Sequence, residues 1–306
     1  MADPPPAEVR ALAERRAIER AARNFAAADA LRGQILEGGW TVHDEAGGFR
    51  LEPATAARVR DADVSSVLEE PPTADVSLHW VVEGWPEDVD RALASFRSVA
   101  GGRALQFVVA DVTGEPPGRW GPGVEVVSLE DGTGWAAARN AGLRRSRAET
   151  ILALDGSVEV TGDVLSPLEA ALTDPTVGVC GPFGIVTEDL REFREAPASG
   201  DCDAVEGYLM AFRRSTLRLA GGFDERFRWY RSADIEWCFR VRDAGLRITA
   251  VPAPVVRHEH RMWEAASPEE REQWSRRNFG RFLDRWRDRW DLTVQGREPG
   301  EQPGAR

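Results

Sequence analysis

The sequence contains no lysine, so all 39 of its cationic side chains are arginines. They are outnumbered by 51 aspartates and glutamates, and the formal net charge is −12. A general nucleic-acid binder needs a basic face that neutralises phosphates, and this charge balance argues against one. Only a local arginine patch would be compatible with such a role.

Cysteine is scarce, and Cys180, Cys202 and Cys238 are scattered without a C-x-x-C pair. This spacing gives neither a zinc signature nor a disulfide framework, and it predicts buried or idle thiols in a reducing cytosol. No apolar run reaches the roughly 18 residues of a membrane span. The start, MADPPPAEVR, lacks an apolar signal core. We therefore expect a cytoplasmic protein without a transmembrane segment.

Residues 1–53 are predicted to form a small N-terminal module. Apolar residues recur at helical spacing and predict a helix over 7–38, which Gly38-Gly39 end. The stretch GWTVHDEAGGFRLEP predicts a β-hairpin that turns at Ala46-Gly47-Gly48. Residues 54–74 are polar, include Pro71-Pro72, and predict a linker.

From residue 75 the pattern changes to alternating strands and helices. Four strands are predicted at 76–82, 104–111, 124–129 and 149–155, with helices at 87–99 and 134–146. This alternation is typical of an α/β layered domain with a mostly parallel sheet. Asp111 and Asp155 fall at carboxyl ends of strands, where such sheets bind ligands. We therefore expect both carboxylates to face one crevice.

The order of several short elements makes residues 75–291 resemble family 2 glycosyltransferases of the GT-A fold. These elements are Arg139-Asn140-x-Gly142, the run Gly221 to Glu225, and Asp234 ahead of Cys238 and Arg240. The resemblance implies a Rossmann-like α/β three-layer sandwich, which binds nucleotide-diphospho-sugars, over residues 75–260. It leaves an amphipathic helix at 261–291 and a disordered tail at 292–306.

The resemblance also implies an inverting transfer of a sugar from a nucleotide-sugar to a hydroxyl of a glycan, lipid or small molecule. A divalent cation, Mg²⁺ or Mn²⁺, would hold the diphosphate and stabilise the leaving group. The residues implied in nucleotide-sugar binding are Asp111 at the base, Arg139, Asn140 and Asp155. Those implied in metal binding are Asp155, Ser157 and His258.

On the acceptor side, the resemblance makes Asp234 the general base and places Asp224 near the acceptor. Each acid also has a plainer explanation, because Asp-Gly pairs form turns and an Asp at a helix start can be a cap. His258 and His260 lie two apart in RHEH, and strand alternation would point both the same way. We expect at most one of them to reach the site.

Two departures from the family pattern leave a non-catalytic relative open as an alternative. The metal motif reads Asp155-Gly156-Ser157, with one carboxylate where the family usually has two. Ala233 replaces an acid that usually precedes the base and could adjust its pKa. A serine hydroxyl can bind Mg²⁺ but contributes no charge.

The N-terminal run AARNFAAADALRGQILEGGWTVHDEAGG resembles the C-terminal helical region of cysteinyl-tRNA synthetases. None of that family's catalytic motifs is present, so aminoacylation is not implied. An RNA-associated interaction protein is the second alternative. Residues 1–53 contain seven arginines and nine acids, which is a poor electrostatic footprint for RNA. We favour a helical hairpin that packs on the domain or recruits a partner.

The C-terminal segment 261–291 places apolar and aromatic residues on one helical face: Trp274, Asn278, Phe282, Trp286 and Trp290. A membrane-surface helix would need a basic excess, whereas this segment has eight arginines and seven acids. We predict that the face packs against the catalytic domain.

Overall fold

The computed structural model describes residues 4–54, 57–116 and 118–296. The N-terminal module consists of the helices α1 Ala7–Ala21 and α2 Phe25–Glu37 and the antiparallel strands β1 Trp40–Glu45 and β2 Gly48–Pro53. Its small core includes Val9, Ala13, Ile35 and Val42. The predicted β-hairpin is confirmed.

The single helix expected over 7–38 is wrong, because the chain turns between α1 and α2. Arg23 adopts a left-handed φ of 59°, which an α-helix cannot include. The side chain of Asn24 then accepts a hydrogen bond from the backbone N–H of Ala27 and caps α2. Apolar spacing alone does not reveal this break, since it continues through both helices.

The central sheet has eight strands in the order β11-β14-β8-β13-β6-β3-β4-β5. Their bounds are β3 Val76–Val82, β4 Leu105–Asp111, β5 Val124–Ser128, β6 Thr150–Leu154, β8 Val177–Gly181, β11 Gly200–Cys202, β13 Leu209–Arg213 and β14 Arg247–Ala250. The four predicted strands are confirmed to within one residue. The sheet is mixed, because β13 runs antiparallel to both β6 and β8 while β3, β4, β5 and β6 are mutually parallel.

Helices cover both faces of this sheet, which makes three layers. The helices are α3 Pro86–Ser98, α4 Trp135–Leu143, α5 Leu165–Leu172, α6 Arg214–Ala220, α7 Ala233–Asp243, α8 Arg261–Ala265 and α9 Pro268–Trp286. One core cluster joins Trp80 of β3 to Phe96 of α3 and Leu168 of α5. A second joins Phe212 of β13 to Trp237 of α7 on the other side.

Two smaller sheets extend the domain beside the central one. β7 Val158–Val160 pairs with β15 Val255–Arg257, directly after the Asp155 turn. β9 Gly184–Thr187 pairs with β10 Phe193–Glu195 and β12 Ala204–Val205. These short pairs bring residues distant in sequence to the carboxyl edge of the central sheet.

The segment predicted to be a linker is packed along the domain over its described residues 57–74. Val59 forms a parallel bridge with Leu129 beside β5. The guanidinium of Arg214 donates to the carbonyls of Leu68 and Glu70, and Val67 is buried. Because its backbone groups are bound by the domain, this stretch does not behave as a free spacer.

The predicted C-terminal face packs inward only in part, because the helix ends at Trp286 and Trp290, beyond it, is 42% exposed. Asn278, Phe282 and Trp286 of α9 are buried, with Phe282 and Trp286 against Phe239 of α7. The predicted disordered tail is wrong at its start, since Leu292 joins this cluster and Thr293 is fully buried. The rest of that tail, 297–306, lies outside the described residues. Among the helices of the described residues, none has the length and apolarity to cross a membrane.

Candidate functional site

Two adjoining cavities lie at the carboxyl edge of the central sheet. Both are lined by Trp135, Asp155 and His260. The larger has a volume of about 440 Å³ and extends to Glu206 and Asp234. The smaller, of about 50 Å³, extends to the segment between β3 and α3. Asp155 therefore lies where the two cavities meet.

Asp155 follows β6 and is held in a tight turn. Its Oδ1 accepts hydrogen bonds from the backbone N–H of Ser157, at 2.8 Å, and from the Ser157 hydroxyl. Its Oδ2 lies 3.1 Å from Nε2 of His260. Burial opposes ionisation, but the hydrogen bonds from His260 and Ser157 outweigh it and hold the pKa of Asp155 below its ordinary value. The carboxylate is thus charged at neutral pH.

His260, and not the predicted His258, is the histidine at this site. β15 ends at Arg257, so strand alternation does not continue through the two histidines. His258 turns to Glu159 on β7, with 2.8 Å between Nε2 and Oε2. His260 faces Asp155, and its ring stacks on Tyr230 with centroids 4.3 Å apart. Burial by itself would lower the pKa of His260, but the hydrogen bond to Asp155 and the charges of Asp155 and Glu83 together raise that pKa above its ordinary value.

Asp234 also lines the larger cavity and lies in the first turn of α7. Its Oδ2 accepts the backbone N–H of Gly207 at 2.7 Å, and its Oδ1 accepts that of Ile235 at 2.9 Å. Burial raises the pKa of this carboxyl, while the two backbone donors act against the rise. A fixed carboxylate with a raised pKa is suited to accept a proton.

Glu206, which was not predicted from the sequence, brings a second carboxyl into the same cavity. It follows β12, immediately before the Gly207 that binds Asp234. Burial, together with the charge of Asp234, raises the pKa of Glu206 to about 7. Ala233, where the family usually has an acid, is buried. A carboxyl absent from the helix is thus supplied near Asp234 by a different element.

Glu83 is the other acid that the sequence analysis missed. It follows β3 and lines the smaller cavity with Trp85 and Asp88. Burial raises its pKa to about 7; the charge of His260 acts against this rise, while the negative charge of Asp155 adds to it. The strand-end rule that identified Asp155 also applies to Glu83, and would have found it.

Arg139 and Asn140 do not line either cavity, although both were predicted to. Arg139 is buried beneath the site and donates to the carbonyls of His79 and Leu154, each at 2.8 Å. Asn140 accepts the N–H of Phe223 at 2.7 Å and donates to its carbonyl at 2.8 Å. Arg139 thus connects α4 to β3 and β6, and Asn140 fixes the Gly221–Glu225 loop to α4.

Asp111 and Asp224 are likewise engaged in their own loops. Asp111 is fully buried, and its carboxylate accepts backbone N–H groups of Thr113, Gly114 and Glu115. Asp224 is paired with Arg226 at 2.6 Å. Neither residue lines the two cavities, so the plainer explanation as turn acids describes their contacts.

The chain matches known proteins over most of the domain. Residues 110–236 match the family model described as glycosyl transferase family 2. The pre-mycofactocin glycosyltransferase of Mycobacterium tuberculosis is 30% identical over 156 residues, which cover 45% of this chain and 33% of that relative. The chain thus spans about a third of the length of this curated relative. The predicted resemblance to family 2 is confirmed over this region.

Two further comparisons agree with the predicted GT-A fold and with the predicted resemblance of the N-terminal module to cysteinyl-tRNA synthetases. A solved structure of GalNAc-T7 with UDP, GalNAc and Mn²⁺ superposes with a TM-score of 0.56 at 16% identity, covering 70% of this chain and 49% of that one. This likeness confirms the GT-A fold. The cysteine–tRNA ligase of Opitutus terrae is 53% identical over 49 residues, which cover 16% of this chain and 11% of the ligase.

Proposed function

We propose that this chain, whose residues 110–236 form a glycosyl transferase family 2 domain, transfers a sugar from a nucleotide-sugar to a hydroxyl acceptor with inversion. The observation that carries the proposal is that Asp155 and Asp234 line the same 440 Å³ cavity from different elements. An ionised carboxylate for the donor diphosphate site and a fixed carboxylate for the acceptor are the two acids that such a transfer needs.

Asp155 and His260 are the residues that would hold the divalent cation. Oδ2 and Nε2 are 3.1 Å apart. Carboxylate and imidazole are both side-chain groups that ligate divalent metal ions. Within residues 4–54, 57–116 and 118–296, no three His, Cys or acidic side chains form a complete metal site. The diphosphate and water would therefore supply the other ligands, as is common for Mg²⁺.

When bound, the cation supplies positive charge that stabilises the departing nucleoside diphosphate. Asp155 positions that charge, and Ser157 holds the carboxylate in its turn through Oδ1. Asp234 accepts the proton of the acceptor hydroxyl as its oxygen attacks the sugar carbon. The backbone N–H groups of Gly207 and Ile235 fix the direction of this carboxylate before the acceptor arrives.

The acceptor is a hydroxyl compound that fits beside aromatic walls. Tyr208, Tyr230 and Phe279 line the larger cavity together with the two acids Glu206 and Asp234. Apolar faces with a few convergent polar groups are typical of a small-ligand site. A glycan, a lipid or a small molecule with such a hydroxyl meets this requirement.

The buried free thiols of Cys180, Cys202 and Cys238 suit our proposed cytoplasmic location.

The proposal predicts that one nucleoside diphosphate stabilises the chain and that the effect depends on metal. Thermal unfolding is measured with UDP, GDP, dTDP and CDP, each with and without Mn²⁺. A ligand at about 100 times its Kd should stabilise by about 2.7 kcal/mol. Asp155→Asn should abolish the metal-dependent part, because the amide still accepts the Ser157 N–H but carries no charge. No stabilisation by any of the four would contradict a donor site.

The two histidines predict a second result, with one as the control for the other. His260→Ala should weaken Mn²⁺ binding by about tenfold or more, because a ligand is lost. His258→Ala should leave it within about twofold, since His258 pairs with Glu159 away from Asp155. Calorimetric titration of Mn²⁺ in the presence of the preferred nucleotide measures both. Equal losses of Mn²⁺ affinity in the two variants would contradict the assignment of His260 as a metal ligand.

A GT-A protein that has lost turnover is the second candidate, favoured by Ser157 and Ala233 at two usually acidic positions. It differs from the transferase in one measurable respect. Both bind nucleotide, but only the transferase releases nucleoside diphosphate from the matching nucleotide-sugar. Metal-independent nucleotide binding without any such release would support the second candidate.

A further inference from the structure

The N-terminal module contacts the domain by a backbone-to-backbone contact at Gly118. Gly118 lies in the loop between β4 and β5, and its φ of +82° is left-handed. A Cβ at this position would be 2.1 Å from the carbonyl oxygen of Glu37 and 2.7 Å from the nitrogen of Gly39. These atoms belong to the turn between α2 and β1, so the module rests directly on the loop. Only glycine fits both the space and the backbone angle.

The same loop is anchored to the domain from two other sides. The Asp111 carboxylate accepts backbone N–H groups from its first residues, as described above. Arg119, next to Gly118, forms an ion pair with Asp90 of α3 at 2.6 Å and a longer one with Glu115 at 3.4 Å. The loop thus connects the module to α3.

The first turn of α3 leads from this loop to the donor side of the site. Asp88 and Val89 line the smaller cavity, two residues and one residue before Asp90. They also contact the Asp155-Gly156-Ser157 turn, since a Cβ at Gly156 would lie 3.3 Å from Val89 and 3.4 Å from Asp88. Contacts are therefore continuous from Glu37–Gly39, through Gly118, Arg119 and Asp90, to Asp155-Gly156-Ser157.

We propose that the N-terminal module is a positioning part of the donor site, which holds the β4–β5 loop and the start of α3 in the nucleotide-binding arrangement. This inference rests on the proposed function, because it assumes that a nucleotide binds beside Asp155, where the smaller cavity meets the larger one. A loop that is ordered in advance does not lose conformational entropy when the ligand binds, so affinity rises. The near-balance of seven arginines and nine acids in residues 1–53 suits a module that packs on protein.

Gly118→Ala in the full chain tests the proposal, and Gly121→Ala is its matched control. Gly121 lies in the same loop with a φ of +76°, but a Cβ there meets nothing within 4 Å. Both variants carry the same left-handed strain, and only the first disturbs the module. The readout is the Kd of the nucleoside diphosphate that stabilises the wild type. We expect Gly118→Ala to weaken binding about tenfold and Gly121→Ala less than about threefold.

Hydrogen exchange on the same samples shows whether a change in nucleotide Kd comes from release of the contact between the module and the loop. Amides of 37–39 and 118–121 should exchange faster in Gly118→Ala than in Gly121→Ala if the contact is released. Faster exchange with an unchanged nucleotide Kd would overturn the proposal, because the contact would then be irrelevant to the donor site. A wild type that binds no nucleotide would overturn the proposed function itself, which is a different outcome.

Arg119→Gln provides a second variant if Gly118→Ala does not fold. It breaks the ion pair with Asp90 while leaving the Gly118 contact intact. The proposal expects weaker nucleotide binding with unchanged Mn²⁺ affinity in the presence of saturating nucleotide. An unchanged nucleotide Kd in Arg119→Gln would contradict the connection through α3.

Discussion

Asp234→Asn is expected to lower transfer, or donor hydrolysis in the absence of acceptor, by about 10²- to 10⁴-fold. A neutral amide cannot take the proton of the attacking hydroxyl, whereas the variant retains the size of the side chain. One oxygen remains to accept either the Gly207 or the Ile235 N–H. The fold should therefore survive, and the loss should appear in kcat with little change in the Kd of the nucleotide.

Release of nucleoside diphosphate from the matching nucleotide-sugar measures this effect. Asp224→Asn is the control, since that acid pairs with Arg226 and lines neither cavity. A large loss of nucleoside diphosphate release in Asp224→Asn, with no loss in Asp234→Asn, would contradict the assignment of Asp234 as the base and favour Asp224. An unchanged rate in Asp234→Asn alone would point to Glu206 as the base.

The pH dependence of the wild-type rate gives an independent check. The base acts only when ionised, so the rate should fall as pH falls through its pKa. Because burial raises the pKa of Asp234, this acidic limb should lie above the ordinary Asp value of about 3.9. An acidic limb at or below that value would contradict the assignment.

Gly142→Ala is expected to destabilise the fold by about 3 kcal/mol or more. A Cβ at Gly142 in α4 would lie 1.7 Å from Nε2 of His79, a fully buried side chain of β3. Moving His79 also disturbs Arg139, whose Nη1 lies 2.8 Å from His79 Nδ1. Burial and the Arg139 charge hold the pKa of His79 well below its ordinary value, so the pair depends on a neutral ring.

Urea unfolding of Gly142→Ala measures the free energy of unfolding, with Gly280→Ala as control. Gly280 is also inside a helix, α9, but a Cβ there meets nothing within 4 Å. The control should be neutral or more stable by up to about 1 kcal/mol, because alanine favours helix. Adding His79→Ala to Gly142→Ala should recover part of the loss. Equal stability of Gly142→Ala and wild type would contradict the close packing of α4 on β3.

The sequence by itself determined four of the eight strands of the central sheet, and through the family resemblance it indicated the layered fold and the two acids of the proposed chemistry. The strands at 76–82, 104–111, 124–129 and 149–155 were predictable because each is a short apolar run between polar turns, which is a local property. Asp155 was found because it ends a strand. Asp234 was found because its neighbouring motif has a recognisable order. These features depend on nearby residues or on family resemblance, and both can be read along the chain.

Only the tertiary structure decided which side chains meet at the site. His260 and not His258 faces Asp155 because β15 ends at Arg257, and beyond a strand end alternation no longer sets direction. The side chains of Arg139 and Asn140 point into the protein because they donate hydrogen bonds there. Arg139 donates to carbonyls of β3 and β6, and Asn140 donates to a carbonyl of the Gly221–Glu225 loop. These partners are between 15 and 83 residues away in sequence. Such contacts depend on packing between distant segments, and a local pattern does not encode them.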